Sequence, residues 1–425
     1  MKRNEYPRVL ILSNTPFHLS DSNGRALGFL LKGIPNDAKI QFCIQGNCVS
    51  AELIDQCYRI TDIEVAKGIL KPSIQAYKMP MEASLDFCNR ATSKRVKRTP
   101  LSMLLRDIAW NVCMKKTDFF DIASRFHPDY IIWQYGDSGF MANLAVSLSK
   151  KCNSKLIIFS TEDYYFKDWD YLSKKKYSLA YSIFHHEMCS FVKKAMALSH
   201  CCVCNTPQLA SKFENEFGIK TEVIMQSAND IVDSQRKNVA RAKDNTIIYA
   251  GNLGLNRHQS LIAIARALFK VDKSTHFEIY GRASETVVKA FENESNIIYN
   301  GFVSYETVLQ RISNARLLIH AESFEPFYKK DLEAAFSTKI PDSLASGTPL
   351  LLYAPDNLAE THYLKDNNCA FVCSNYDSLE SILSVALLND EKRKEILYNS
   401  ATIVDANHNL GKNQIHMQEL LSIGS

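Results

Sequence analysis

Short apolar runs that end in polar or glycine-containing loops and then give way to helical patterns recur along this chain, and that rhythm limits its fold more than any other feature. In the first half the runs are RVLILS (8–13), residues 39–48 and 57–65, DYIIWQ (129–134), KLIIFS (155–160) and the segment around Cys201–Cys204. In the second half they are NTIIYA (245–250), HFEIYGR (276–282), NIIYNGFV (296–303), ARLLIHAE (315–322) and LLLY (350–353). Strands of that length buried on both faces read as continuous apolar runs, and alternation with helices implies parallel sheets. The polar, weakly patterned stretch 228–244 separates the two series. The expected organisation is therefore α/β, with one doubly wound Rossmann-like domain over 1–227, a linker over 228–244 and a second over 245–405. Residues 406–425 then form a last helix, and 425 residues give each domain ample core.

Composition excludes several classes. Apolar content of 46% with 23% charged residues is ordinary for a globular chain, and a net charge of +4 is too small to indicate nucleic acid. The twelve cysteines are scattered, with no pair of CxxC motifs, so they read as reduced core thiols rather than a metal or disulfide framework. No apolar run approaches the roughly 18 residues of a membrane span, and no signal peptide is evident. A cytoplasmic location is expected. One segment is unusual: Arg90, Lys94, Arg95, Lys97, Arg98 and Arg106 lead into the helical pattern LSMLLRDIAW (101–110), which carries Trp110. A basic stretch joined to an amphipathic helix suits contact of 90–116 with an anionic membrane surface, peripheral at the inner face of the cytoplasmic membrane; a solvated basic loop fits it as well.

The stretch STKIPDSLASGTPL (337–350) reads as polar cap, helix of about two turns, stop and strand. Ser337 and Thr338 can accept bonds at a helix start, Pro341 suits the first turn, and Gly347 permits the stop. Lys339 and Asp342 then stand at a helix N-terminus beside a sheet, where N–H groups and a lysine favour a diphosphate and a carboxylate can accept a ribose diol. GNLGLNRH (251–258) forms a second anion-ready turn, with Gly251, Asn252 and Gly254 in the loop and Arg257 and His258 at the helix start. Gly281 and the loop Phe302–Ser304 close two further strand ends. In the first half, the loop after the first strand offers His18, Asp21, Ser22, Asn23 and Gly24, without a GxGxxG fingerprint. Two later strand ends bring Tyr135, Asp137, Glu162 and Asp163 to one rim, as binding groups, bases or helix caps.

Four pieces of this sequence, NTPFHLSDSNGRAL, IIYAGNLGLNRHQSLIAIARAL, FEIYGRASE with NIIYNGFVS, and ARLLIHAESF with STKIPDSLASGTPLLLY, resemble the GT-B glycosyltransferases. The likeness is to the family-4-like group of bacterial polysaccharide and lipopolysaccharide enzymes. It implies two Rossmann-like domains facing across a cleft, a nucleotide-sugar donor held mainly by the second, and a saccharide or lipid-linked saccharide acceptor. Asp342 stands where an acidic residue holds the ribose, Lys339 and Arg257 near the diphosphate, Gly281, Phe302 and Ser304 near the base, and Gly24 approaches from the first domain. The last helix commonly crosses back to that domain. One departure is that Ala334 occupies the place of the first of two glutamates separated by seven residues, with Glu322, Glu325 and Glu333 as nearby substitutes.

The implied reaction is sugar transfer to a hydroxyl, retaining and without metal or other cofactor, in cell-surface polysaccharide or glycolipid assembly. Arg257 and Lys339 would stabilise the departing diphosphate. An inverting reaction would need a base, for which His18 and Glu162 are the candidates. A nucleotide-sugar epimerase and a non-catalytic GT-B-like partner or scaffold protein are the alternatives, the latter kept open by Ala334.

Overall fold

The computed structural model describes residues 6–19, 22–82, 98–175, 178–228 and 245–422. Asp21, the cations Arg90, Lys94, Arg95 and Lys97, and all of the expected linker but Ala228 lie outside the described residues. The contacts divide the chain into two units, one of Met1–Met225 with Gly411–Ser425 and one of Gln226–Leu410.

The first unit holds an eight-stranded sheet in the order Thr221–Val223, Ser199–Cys204, Lys155–Ser160, Tyr130–Gln134, Val9–Ser13, Lys39–Cys43, Cys57–Arg59, Tyr77–Lys78. Its neighbours are parallel except for the last pair. Because side chains alternate along a strand, the central strand feeds two cores. Leu10 and Leu12 join Ile131, Trp133 and Ile158 on one face. Val9 and Ile11 join Ile132, Ile157, Met417, Leu420 and Leu421 on the other. The last three come from the final helix, Leu410–Ser422. Asn413 Nδ2 of that helix donates to the Met225 carbonyl at 3.0 Å, and Gln414 Nε2 to the Phe29 carbonyl at 2.7 Å. Burying three such apolar side chains is worth roughly 5–9 kcal/mol before any entropy cost.

The second unit has a six-stranded, wholly parallel sheet in the order Ile297–Gly301, His276–Tyr280, Thr246–Ala250, Leu317–Ala321, Leu350–Tyr353, Phe371–Cys373. Numbered within the domain this is 3-2-1-4-5-6, the doubly wound order that opens a crevice at the carboxyl ends of its first and fourth strands.

Three local expectations need correction. Only Cys57–Arg59 of the run 57–65 is strand; Thr61 then caps the helix Asp62–Gly68 and Glu64 returns the bond to the Thr61 N–H at 2.6 Å. That T-x-x-E capping box was legible and outweighed the β-branched residues. The helix after Lys339 is Ile340–Ala345, and Lys339 rather than Ser337 or Thr338 sits at its N-cap, with Ser337 Oγ accepting from the Lys339 N–H at 3.5 Å. Ten cysteines are free thiols, eight of them buried, but Cys48 is disulfide-bonded.

Candidate active site

The second unit gathers charge at its crevice. The strand Thr246–Ala250 ends in Gly251, whose N–H donates to the Tyr280 carbonyl at 2.8 Å. A tight turn follows, in which Gly254 N–H reaches Asn252 Oδ1 at 2.8 Å and Tyr249 Oη donates to the Asn252 carbonyl at 2.8 Å. Leu255 and Asn256 take left-handed backbone conformations, and the helix Arg257–Val271 starts immediately afterwards. Gly281 passes so close behind this turn that a Cβ there would collide with the Gly251 carbonyl, and its φ of +156° also favours glycine.

Arg257 is buried and forks onto one carboxylate: its Nε and Nη2 donate to Glu322 Oε2 and Oε1 at 2.8 and 2.7 Å. Glu322 follows the neighbouring strand Leu317–Ala321, and Ser260 Oγ donates to its carbonyl at 2.6 Å. His320, on that strand, lies between two carboxylates, its Nε2 3.5 Å from Glu322 Oε1 and 3.2 Å from Glu360 Oε1. Glu360 Oε2 accepts from the Ser337 N–H at 3.2 Å, which ties this chain of charges to the segment carrying Lys339. Burial depresses the His320 imidazole, but Glu360 and Glu322 outweigh it and hold its pKa above the ordinary 6.5. Burial likewise opposes ionisation of Glu322, yet His320 and Arg257 hold it below the usual range.

Arg257 is therefore matched by Glu322, and His320 lies within reach of both Glu322 and Glu360. Lys339 is left over. Its Nζ crosses the Gly251 backbone so closely that a Cβ on Gly251 would collide with it, and it lies 6.0 Å from the centre of the Tyr249 ring. No carboxylate among the described residues comes within ion-pair distance of it. Burial, and then Arg257, lower its pKa to about 8. An unneutralised ammonium above a glycine backbone at a switch point is suited to an anion.

The His320, Glu322 and Glu360 ligand atoms lie within 4.8 Å of one another, a spacing that a divalent cation could use. Arg257 occupies both Glu322 oxygens and Lys339 sits close by, so the surroundings are already cationic. The donor set does not fit a metal.

Asp342 is buried, and Tyr305 Oη donates to its Oδ2 at 2.5 Å. Thr338 is half-buried beside Lys339. Phe302 is 61% exposed, with the Arg282 guanidinium 4.3 Å from its ring centre. Ser304 serves as N-cap of the helix Tyr305–Asn314. Ala334 is buried, and the Glu333 carbonyl beside it accepts from the Ala359 N–H at 2.8 Å, next to Glu360 in sequence. Of the nearby acids, Glu322 is committed to Arg257 and Glu325 to Asn256. Sequence reasoning missed both His320 and Glu360; a histidine inside an apolar strand and a glutamate in the weak helical pattern AETHYLKD carried no spacing signal.

In the first unit, His18 is buried in the loop after the first strand, and Gly24 is buried in the helix Ser22–Leu30. Glu162 follows the strand Lys155–Ser160, its carbonyl accepting from Ser160 Oγ at 2.9 Å. Tyr135 Oη accepts from the Tyr165 N–H at 2.7 Å. Asp137 is paired with Arg98 and accepts from Tyr171 Oη at 2.7 Å, while Asp163 lies 3.6 and 3.5 Å from Lys167 and Lys212. These two carboxylates thus have structural partners.

The family model described as glycosyl transferase-like matches residues 257–422. No curated protein sequence matches the chain. Among solved structures, Anabaena Alr3699/HepE in complex with UDP is similar with a TM-score of 0.61 at 11% identity, over 98% of this chain and 99% of that one. Sucrose-phosphate synthase from Thermosynechococcus elongatus has a TM-score of 0.63 at 12% identity, over 97% and 98%. WaaG, a glycosyltransferase involved in lipopolysaccharide biosynthesis, has 0.54 at 12%, over 98% and 100%. At these identities the likenesses establish the fold, two α/β domains of the GT-B type. The chain thus has the GT-B fold, and the glycosyl transferase-like model covers its stretch 257–422, most of it in the second unit.

Proposed function

We propose that this protein transfers a sugar from a nucleoside-diphosphate donor to a hydroxyl of a saccharide or lipid-linked saccharide, in cell-surface polysaccharide or glycolipid assembly. The observation that carries the reading is the half-buried Lys339, unmatched by any carboxylate within ion-pair distance among the described residues, its ammonium lying over the Gly251 backbone at the switch point. In this reading Lys339, the N–H groups of the 251–258 turn and the start of the helix Arg257–Val271 hold the donor diphosphate. As the bond to the sugar breaks, they receive the growing negative charge on the leaving group. Arg257 contributes field while Glu322 fixes its guanidinium. Cations placed this way supply the stabilisation that a metal would otherwise provide, which supports metal-independent transfer.

Asp342, whose Oδ2 accepts from Tyr305 Oη, is the carboxylate assigned to the ribose hydroxyls. Gly281, Phe302 and Ser304 border the base, and Asn252 and Thr338 flank the phosphates. Glu360, whose Oε1 lies 3.2 Å from His320 Nε2, supplies the carboxylate that Ala334 cannot. Retention of configuration is the favoured course, with the leaving phosphate assisting the acceptor; inversion would assign the base to His18 or Glu162. Thermal shifts with UDP, GDP, ADP, dTDP and CMP, repeated on Asp342→Ala, test the donor site. A shift for one nucleotide that the variant loses supports it, and no shift with any would favour a non-catalytic role. The anomeric configuration of product from a labelled donor separates retention from inversion, and donor turnover without acceptor would indicate an epimerase.

A further inference from the structure

The helix Pro100–Cys113 is apolar on two opposite sides, and the fold uses one of them. Met103, Trp110 and Cys113 face the core, with Trp110 stacked on Phe140 at a centroid distance of 4.6 Å and its Nε1 donating to Asp62 Oδ1 at 2.7 Å. Trp110 is thus a core residue rather than part of an outward-facing group. On the other side Leu101, Leu105, Ile108 and Val112 are 58, 58, 46 and 60% exposed. At 3.6 residues per turn this spacing places all four in a sector about 60° wide, roughly opposite the buried face, along about 16 Å of helix. Scattered exposed aliphatics need no explanation, but a continuous row opposite the core does.

Charge follows the same segment. Residues 67–116 contain eleven lysines and arginines against three acidic residues, in a chain whose net charge is only +4. The helix carries one carboxylate, Asp107, which is buried and accepts from the Gly139 N–H at 2.8 Å. Its outward face therefore bears none. Lys67 and Lys71 are exposed on and just beyond the helix Asp62–Gly68, which packs against it, and Lys115 is exposed just after its end.

We propose that this face docks on an anionic lipid bilayer, the aliphatic row entering the acyl boundary while the flanking ammonium groups meet headgroup phosphates. Either signal alone gives marginal binding, and the pair gives stable attachment. The inference concerns the first unit and stands whether or not the donor reading holds.

The test is flotation of the full chain with vesicles of phosphatidylglycerol and phosphatidylcholine, against phosphatidylcholine alone. Binding is expected only to the anionic vesicles, weakening with salt. Leu105→Glu with Ile108→Glu should abolish it while leaving the melting temperature unchanged. Replacing Lys67, Lys71 and Lys115 by glutamine, which leaves the aliphatic row intact, should weaken it about fivefold per cation, about a hundredfold together. The proposal is overturned if the wild type ignores anionic vesicles, binds neutral ones equally, or binds unchanged after either set of substitutions. It is also overturned if the wild type is a dimer that Leu105→Glu dissociates, since a second copy would then cover the row.

Discussion

Replacing Glu322 by glutamine removes the anion that neutralises a buried guanidinium, and the second domain should lose several degrees of thermal stability. Arg257 is 9% exposed and directs two N–H donors at that carboxylate, 2.8 and 2.7 Å away. His320, whose Nε2 is 3.5 Å from Glu322 Oε1, loses one of its two anionic neighbours, and the nearby Lys339 ammonium adds to the excess of positive charge. Removing one partner of a buried ion pair costs about 3–5 kcal/mol, because the other charge stays buried. For a domain of this size each kcal/mol moves the melting point by about 2–4 °C, so a fall of roughly 6–20 °C is expected. Arg257→Met combined with Glu322→Met leaves no orphan charge and should recover most of the loss. A nucleoside diphosphate at a hundred times its dissociation constant should return about 2.7 kcal/mol to the single variant. Scanning calorimetry on the full chain reads all three. A fall below about 2 °C, or a double variant as unstable as the two singles added, would refute the idea that this pair confines a buried charge.

Lys339, held at about 8, titrates between there and its unfolded 10.5, so the unfolded chain binds the extra proton and stability rises with pH across that window. Diphosphate binding should run the other way, weakening as pH passes about 8, and Lys339→Arg should remove that decline in calorimetric titrations. His320 is raised above 6.5, so its contribution is full below that value and is lost as pH rises through its folded pKa; His320→Gln should flatten this part of the stability profile. Asp342→Asn should weaken nucleoside diphosphate binding by about ten- to a hundredfold, the worth of a hydrogen bond to a charged acceptor, with inorganic diphosphate little affected. Gly281→Ala should cost more than about 2 kcal/mol of stability, since the new methyl meets the Gly251 carbonyl in a backbone region that favours glycine.

The parallel sheets were legible because their strands are near-continuous apolar runs: LLLY and KLIIFS match observed strands residue for residue. That Arg257, Lys339 and Asp342 lie at helix starts, and Gly251 and Gly254 in a tight turn, was legible because such places restrict residue type locally. What partners those residues was not. That Arg257 is bound by a glutamate 65 positions on, that His320 bridges Glu322 and Glu360, and that Tyr305 holds Asp342 all follow from strand order, which local pattern does not encode. The outward row on the helix Pro100–Cys113 was hidden for the opposite reason. Both of its faces are apolar, and periodicity alone does not say which one the core takes.

The final helix has a consequence for how the protein is made. Met417, Leu420 and Leu421 complete a core begun by Val9, Ile11 and Leu27, so the first unit is assembled from residues on both sides of the second in the chain. During synthesis the second unit, Gln226–Leu410, emerges whole and can fold while the first still exposes Leu27, Leu30 and Leu31. The domain begun first is thus closed last. A nascent chain stalled or cleaved near residue 410 should be a chaperone client with a finished second unit and an open apolar seam.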